Sequence, residues 1–234
     1  MTAGLRRAVT GLLSFAAAEE QALLAADAFG PGSGGGSPDR WAAVPLVAHN
    51  NQFKSQQAER IGCLLDRRVP PAYGEIDHTS EQVYQGYLAQ PPDAVLAACR
   101  ETSARLIDGT WALGDDDLLD PARHSWLNGR LLWLQIVVRG FWHPTGHLGD
   151  YYLAHGQAGR AVAMQAQGLA MARYLGAPAA AAGMAGYNLA CAQAQAGQPD
   201  QAARTLAEAI EANPDLRANA RRDPDLKVLR EAAP

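Results

Sequence analysis

The sequence predicts an all-α fold, and three observations support that class. Apolar residues recur at helical spacing over long stretches of the chain. No segment alternates apolar and polar residues in the manner of a half-buried strand. The C-terminal third contains an internal repeat whose units each have the length of a helical pair. With 234 residues, 48% of them hydrophobic, the chain is long enough to bury a core of its own.

An amphipathic helix is predicted from the N-terminus to about Phe29. Its apolar residues form one helical stripe, which contains Leu12, Leu13, Phe15, Leu23 and Leu24. Two arginines ahead of an apolar stretch suggest a cleaved signal peptide as the alternative, but Glu19 and Glu20 interrupt that stretch. The segment GPGSGGGSP at 30–38 then predicts a flexible tether between two helices.

Four further helices are predicted before the C-terminal repeats. Their ranges are 45–68, a short helix ending at Leu88, 91–113 and 125–142. Pro45 suits the first turn of a helix, and Thr79 with Gln82 fits a capping box. The acidic loop GDDDLLDP at 114–121 separates the last two helices.

The C-terminal third resembles tetratricopeptide repeats. When Pro214 is placed at the terminal proline of that pattern, small and apolar residues take its packing positions, which are Leu189, Ala190, Ala202, Leu206 and Ala209. Equating Gly156 with Gly197 reveals an earlier and weaker unit at about 142–173. Because two such units bury little surface alone, we expect them to pack on the N-terminal helices.

Composition argues against several classes of function. Lys and Arg number 20 against 24 Asp and Glu, and no basic run alternates with aromatic residues, so nucleic-acid binding has little support. No stretch has the roughly 18 apolar residues that a membrane span needs. The three cysteines are scattered and odd in number, which favours a reducing cytoplasm over a disulfide framework.

Three histidines are candidate metal ligands. His143 and His147 lie four residues apart in GFWHPTGHLGDYYLAHG, and a helix brings them, together with Asp150, onto one face about 60° wide. The opposite face holds the residues that the repeat pattern uses for packing, so repeat packing does not explain the two histidines. His49 lies in an apolar segment of the second helix. A metal site and ordinary packing of the imidazoles both remain open from spacing alone.

At these residues the sequence resembles the DinB-like four-helix-bundle superfamily, which includes thiol-dependent S-transferases and a mycothiol-dependent isomerase. WAAVPLVAHN supplies the family's Trp and His as Trp41 and His49, and HPTGH supplies its HxxxH as His143 and His147. Pro144 inside HxxxH departs from the pattern. The resemblance implies an up-down bundle at 1–156, followed by tetratricopeptide-like hairpins at 142–234 that share the helix 143–155.

The resemblance also implies a chemistry. The three histidines would hold a divalent metal, zinc or nickel, with open positions for a low-molecular-weight thiol such as mycothiol, or for water. The expected reaction is S-transfer, isomerisation or hydrolysis of a small electrophilic metabolite or toxin. Some bundles of this general shape, including the colibactin-resistance type, hydrolyse electrophilic warheads, so detoxification, self-resistance and secondary metabolism are the expected settings.

Three other residues are candidates for supporting roles. Asp150 could orient His147 or act as a base, or it is simply a solvated helical acid. Arg130 and Arg139 could bind the carboxylate of a substrate or thiol, and pairing with the acidic loop is the alternative. His78, His124 and His155 have turn-like surroundings and are predicted to be solvated.

A different class of function competes with the enzyme. The repeats could make the chain a non-catalytic adaptor that binds a protein partner, although two repeats form only a shallow groove. The other expected partner is a small-molecule substrate, without nucleic acid or membrane. A homodimer stays open.

Overall fold

Helices form the secondary structure throughout the described chain. The computed structural model describes residues 2–28, 40–73 and 81–231, and none of these lies in a β-strand, which confirms the all-α prediction. The longer helices are α1 (Thr2–Leu23), α2 (Ala43–Leu65), α3 (Glu81–Leu88), α4 (Pro92–Ala112), α5 (Asp115–Leu119), α6 (Leu132–Val137), α7 (His143–Ala154), α8 (Ala158–Tyr174), α9 (Ala179–Gln195), α10 (Pro199–Ala212), α11 (Leu216–Ala220) and α12 (Lys227–Glu231). None of the helices in these described ranges has the length and apolar character that crossing a membrane requires.

The described chain divides into two compact units. The N-terminal unit contains Leu12–Pro144, and the C-terminal unit joins Ala3–Gly11 to the residues from Thr145 onward. Both boundaries fall within continuous helices, α1 and α7. The predicted domain limits, 1–156 and 142–234, stay a prediction. The predicted tether at 30–38, the Thr79 capping box and His78 lie outside the described residues.

In the N-terminal unit, α2 is the helix around which the others are arranged. It packs along α4 and also contacts α3 and the helical turn that precedes α7. Pro45 lies in its first turn, as predicted, where the missing N–H has no partner to lose. The buried residues of α2 include several polar ones, among them His49, Asn50, Lys54 and Gln57. Burying such groups is costly unless they are paired. Lys54 and His49 have partners on other helices, whereas the side-chain amides of Asn50 and Gln57 have none among the described residues.

A buried ion pair satisfies Lys54. Its Nζ lies 2.5 Å from Oε2 of Glu20, and the two side chains are 2% and 0% exposed. The Nζ also lies 3.4 Å from Oγ of Ser103 and 3.6 Å from Sγ of Cys99. Burial is the largest single effect and disfavours the ammonium, but the effects of Glu20 and Cys99 together outweigh it, so the pKa of Lys54 is raised. The pair therefore ties α1, α2 and α4 together inside this unit.

The prediction of one continuous helix at 125–142 is wrong. A 3₁₀ turn at Ser125–Leu127 ends at Asn128 and Gly129, whose φ values of 51° and 80° leave the right-handed helical region. The chain then resumes as α6. The acidic segment predicted to be a loop contains the short helix α5 instead.

A π-helical turn at Val138–Trp142 joins α6 directly to α7. Pro144 follows that turn and lacks the N–H that a regular helix would use at this point. The wider turn is one of the ways in which helices accommodate such an interruption. As a result, His143 lies within a continuous helical stretch and not at an exposed helix start.

In the C-terminal unit, α8 packs on α9 and α9 packs on α10. Gly156 and Gly197, which the repeat alignment equates, have positive φ values of 71° and 75° and follow α7 and α9. In each case the next N–H bonds a carbonyl five residues earlier, with Gln157 N–Tyr152 O at 2.7 Å and Gln198 N–Gln193 O at 2.9 Å. These bonds are the mark of a Schellman helix end, which favours glycine. The tetratricopeptide assignment itself stays a prediction.

Replacing Lys54 with Ala should destabilise the protein by about 3–5 kcal/mol, because Glu20 would keep a buried charge without its partner. Urea denaturation measures the change. The double variant Lys54→Met with Glu20→Gln should recover most of the loss, since it removes both charges. As a control, Arg68→Ala breaks the exposed Arg68–Asp66 pair and should change stability little. A tolerated Lys54→Ala would contradict the structural role of the pair.

Replacing Gly183 with Ala should cost about 1–3 kcal/mol by overpacking the α9–α10 contact. A Cβ at this position would lie 2.7 Å from Cβ of Asn213 and 2.9 Å from the carbonyl oxygen of Ala209. In contrast, a Cβ at Gly159 of α8 meets no described atom within 4 Å. Gly159→Ala should therefore be neutral or stabilising by up to about 1 kcal/mol, through helix propensity. Thermal denaturation of both variants measures the difference in stability between them. Equal stabilities would mean that α9 and α10 are too loosely packed for the added methyl group to matter.

Candidate metal centre

His49 is buried in an aromatic enclosure. Its side chain is 1% exposed on α2. Its ring lies 5.1 Å from that of Trp41, 5.0 Å from that of Phe53 and 5.8 Å from that of Tyr87, measured between centroids. Trp41 lies two residues before the start of α2, Phe53 lies one turn after His49 on α2, and Tyr87 belongs to α3. These contacts fix the ring and leave its Nε2 directed at α7.

His143 meets His49 at the start of α7. The Nε2 atoms of the two rings lie 3.2 Å apart, and the ring centroids are separated by 5.3 Å. The ring of Phe53 lies 4.4 Å from the ring of His143, so Phe53 contacts both imidazoles. Residues 94 positions apart in the chain are thus brought together within the N-terminal unit.

His147 lies one helical turn after His143 on the same helix. The continuity of α7 fixes its position relative to His143. One nitrogen from each of His49, His143 and His147 lies within 4.8 Å of the other two. The His147 side chain is 38% exposed. The three histidines predicted from the sequence therefore form one group, enclosed at His49 and accessible at His147.

The donor atoms of this group fit a divalent metal. Ligands placed 2.0–2.1 Å from a tetrahedral zinc ion lie about 3.3–3.4 Å apart, close to the observed His49–His143 separation. Imidazole nitrogen suits both zinc and nickel. A direct hydrogen bond between two neutral rings also accounts for 3.2 Å. The third imidazole, which such a bond does not need, is the feature that favours a metal.

Asp150 lies next to His147. Its Oδ2 is 3.9 Å from Nδ1 of His147, beyond hydrogen-bond distance, and its side chain is 59% exposed. Crowding of protein around the carboxylate, followed by the charges of Asp225 and Asp223, raises the pKa of Asp150 to about 7. Asp150 is therefore adjacent to one candidate ligand and forms part of an acidic neighbourhood.

The two candidate arginines have different surroundings. Arg130 is exposed beside the turn at Asn128. Arg139 lies on the π-helical turn with its guanidinium 4.6 Å from the ring centre of Phe53, the residue that contacts both His49 and His143. Burial and the nearby charge of Arg60 lower the pKa of Arg139. Of the two arginines, Arg139 is therefore the one that adjoins the histidine group through a defined contact.

The prediction that His124 is solvated is wrong. It is 6% exposed, and its Nε2 lies 3.1 Å from the carbonyl oxygen of Asp117. The acidic segment, a possible partner of Arg139 on sequence grounds, instead pairs with Arg123, whose Nε lies 3.2 Å from Oδ1 of Asp117. The fold of α5 thus provides this carboxylate with a partner from the turn that follows it.

A second cluster, which the sequence did not reveal, lies in the C-terminal unit. Ligand-type atoms of Cys191, Asp223 and Asp225 fall within 4.8 Å of one another. Hydrogen bonds already link them to their surroundings: the hydroxyl of Tyr187 donates to Oδ2 of Asp223 at 2.6 Å, and the Cys191 thiol lies 3.9 Å from the same oxygen. Burial raises the pKa values of Tyr187 and Cys191, so both are protonated donors. We therefore interpret this cluster as a hydrogen-bonded acidic network.

No protein-family model matches the chain, and neither a curated protein sequence nor a solved structure is significantly similar to it.

Replacing Asp225 with Asn should stabilise the protein at pH 8 by a small amount, about 2 °C in Tm. Burial and the charge of Asp223 raise the pKa of Asp225 in the folded state above its ordinary value of 3.8. Ionisation therefore opposes folding above the raised value, and this cost disappears as the pH falls toward the ordinary value. The advantage of the variant should shrink as the pH is lowered from 8 to 4.

Asp215→Asn is the matched control, because it removes the same charge at an exposed position. Thermal denaturation from pH 4 to 8 should show no comparable gain at high pH for this variant. An Asp225→Asn variant that is less stable than the wild type at pH 8 would contradict a raised pKa of Asp225 in the folded state.

Proposed function

We propose that this protein is a metal-dependent enzyme of the DinB-like type. It activates a thiol or water for S-transfer, isomerisation or hydrolysis of a small electrophilic metabolite or toxin. The observation that carries the proposal is the convergence of the His49, His143 and His147 nitrogens within 4.8 Å. Two helices, α2 and α7, supply all three side chains, as HxxxH and a distant His do in the family that the sequence resembles.

His49, His143 and His147 would hold zinc or nickel. When bound, such a metal lowers the pKa of a coordinated thiol or water, which makes a nucleophile available at neutral pH. The group has three protein ligands, a number typical of catalytic sites that keep a position open for water or substrate.

The residues around the histidines orient the imidazole rings and exclude water from one side of the group. Trp41, Phe53 and Tyr87 exclude water from the His49 side and hold its ring in place. The partial exposure of His147 leaves the other side open to a small molecule. Asp150 lies 3.9 Å from Nδ1 of His147, where it would orient that imidazole or act as a base.

The proposal extends to the location, the thiol and the partners of the protein. Free, buried cysteines at positions 63, 99 and 191 agree with a cytoplasmic location. The choice among thiols, including mycothiol, depends only on the family resemblance. The adaptor function of the tetratricopeptide-like repeats stays a prediction, and so does a homodimer.

Metal content tests the proposal directly. Tag-free wild type, measured by inductively coupled plasma mass spectrometry, should carry about one zinc or nickel per chain, as three convergent imidazoles predict. His49→Ala, His143→Ala and His147→Ala should each lose most of it. His147→Ala is the most informative variant, because the side chain is 38% exposed and its loss disturbs packing least.

His124→Ala is the matched control, since this histidine is buried but bonds the carbonyl of Asp117. It should retain the metal of the wild type. A folded wild type that contains no metal, and that binds neither added zinc nor added nickel in equilibrium dialysis, would overturn the proposal.

A further inference from the structure

Polar and charged side chains continue from the histidines along α2. His49, Gln57 and Arg60 lie within about 80° of one another on one face of that helix, which they share with the aromatic Phe53. Gln57 is 0% exposed, and Arg60 is half-buried. A helix face this polar is not an apolar core, so its groups need partners of their own.

Arg60 lies between two aromatic rings. Its guanidinium carbon is 4.9 Å from the ring centre of Tyr73 and 5.0 Å from that of Trp126. The guanidinium of Arg139 is held in the same manner over Phe53. Aromatic faces favour a cation and fix its orientation, but they leave its N–H groups available for an anion.

The positive charge of Arg60 acts on Arg139. The charge of Arg60 contributes to lowering the pKa of Arg139, after the larger effect of burial. Burial likewise lowers the pKa of Arg60. The ion pairs found among the described residues involve neither of them. Two partly buried, mutually repelling cations have a local positive potential that a bound anion would neutralise.

Hydrogen-bond donors converge on the same region. Within the described residues, Arg60 Nε, Trp126 Nε1 and the side-chain amide of Gln57 are buried without a hydrogen-bond partner. Each buried donor that lacks an acceptor costs free energy, commonly about 1–3 kcal/mol. A carboxylate carries only acceptors, which complements the N–H groups of Arg60, Trp126 and Gln57, but not the Oε1 of Gln57, which is itself an unpaired acceptor.

We propose that Arg60 and Arg139, with Gln57 and Trp126, form an anion subsite that binds the carboxylate of a small molecule beside the histidine group. Arg139 lies at the level of Phe53, one helical turn or about 6 Å along α2 from His49. The subsite therefore selects aryl or short-chain carboxylates whose electrophilic carbon lies about that far from the carboxylate. It deepens the proposed function, on which the link to a reaction depends, although binding at the subsite can be measured independently.

Isothermal titration calorimetry with benzoate tests the subsite, with the neutral isostere benzamide as the comparison. Benzoate should bind the wild type saturably and benzamide should not. Arg60→Gln and Arg139→Gln should each weaken benzoate binding about tenfold or more, as expected for the loss of a charge-assisted contact. Arg160→Gln is the matched control, because Arg160 also stacks on a tyrosine, Tyr152, at 4.2 Å, but in the C-terminal unit. It should bind benzoate like the wild type.

The source of the carboxylate is resolved by titrating N-acetylcysteine, a thiol that carries one, in competition with benzoate. Tighter binding of N-acetylcysteine assigns the subsite to the thiol, and tighter binding of benzoate assigns it to the electrophilic substrate; both support the subsite. A wild type that binds neither anion, or an Arg60→Gln and Arg139→Gln pair that binds like the wild type, overturns it.

His49→Ala separates this inference from the proposed function. If this variant loses metal yet still binds benzoate, both proposals are supported. If the wild type contains no metal but binds benzoate through Arg60 and Arg139, the subsite stands and the metal enzyme fails. If metal is present but neither benzoate nor N-acetylcysteine binds, the subsite alone is overturned. Far-UV circular dichroism of each variant confirms that it is folded.

Discussion

The polar residues that α2 carries into the N-terminal unit are the constraint on which the rest of that unit depends. A helix that buries a lysine and a histidine cannot pack against arbitrary neighbours, because each group must be matched. Glu20 and α4 match Lys54. His143 matches His49, which places the start of α7. Gln57 has no partner among the described residues, and it lies one turn before Arg60, which stacks on Trp126.

The helices were largely predictable from sequence, because periodic burial of apolar residues is a local signal. The failures occurred where local patterns are ambiguous. Asn128 and Gly129 interrupt an apolar stretch that has the pattern of one helix. Both residue types adopt the left-handed backbone conformation easily but do not require it, so the sequence alone did not reveal the break. The acidic segment before them looked like a loop because its carboxylates find their partners only after the chain has folded.

The candidate site was predictable only in part. His143 and His147 share a helix, so their spacing was informative, whereas the convergence of His49 required a resemblance to a family. Nothing local marks Arg60, Gln57 or Trp126 as neighbours of Arg139, because that proximity depends on how α2 and the chain after α5 pack. The burial of Lys54 was not predictable for a similar reason: a lysine in a polar-rich helix is ordinarily solvated.

The π-helical turn before His143 has a consequence for how this chain can vary. A π turn closes with one residue more than the α turn that it replaces, so the helical segments on its two sides keep nearly the same relative orientation. A chain that lacks one residue within Val138–Trp142 would close the same turn as ordinary α-helix, and His143 and His147 would still face His49. A further residue lost there has no π turn to compensate for it and would rotate both histidines by about 100°. The length of this segment can therefore shrink by one residue, and by no more, while the histidines keep their positions.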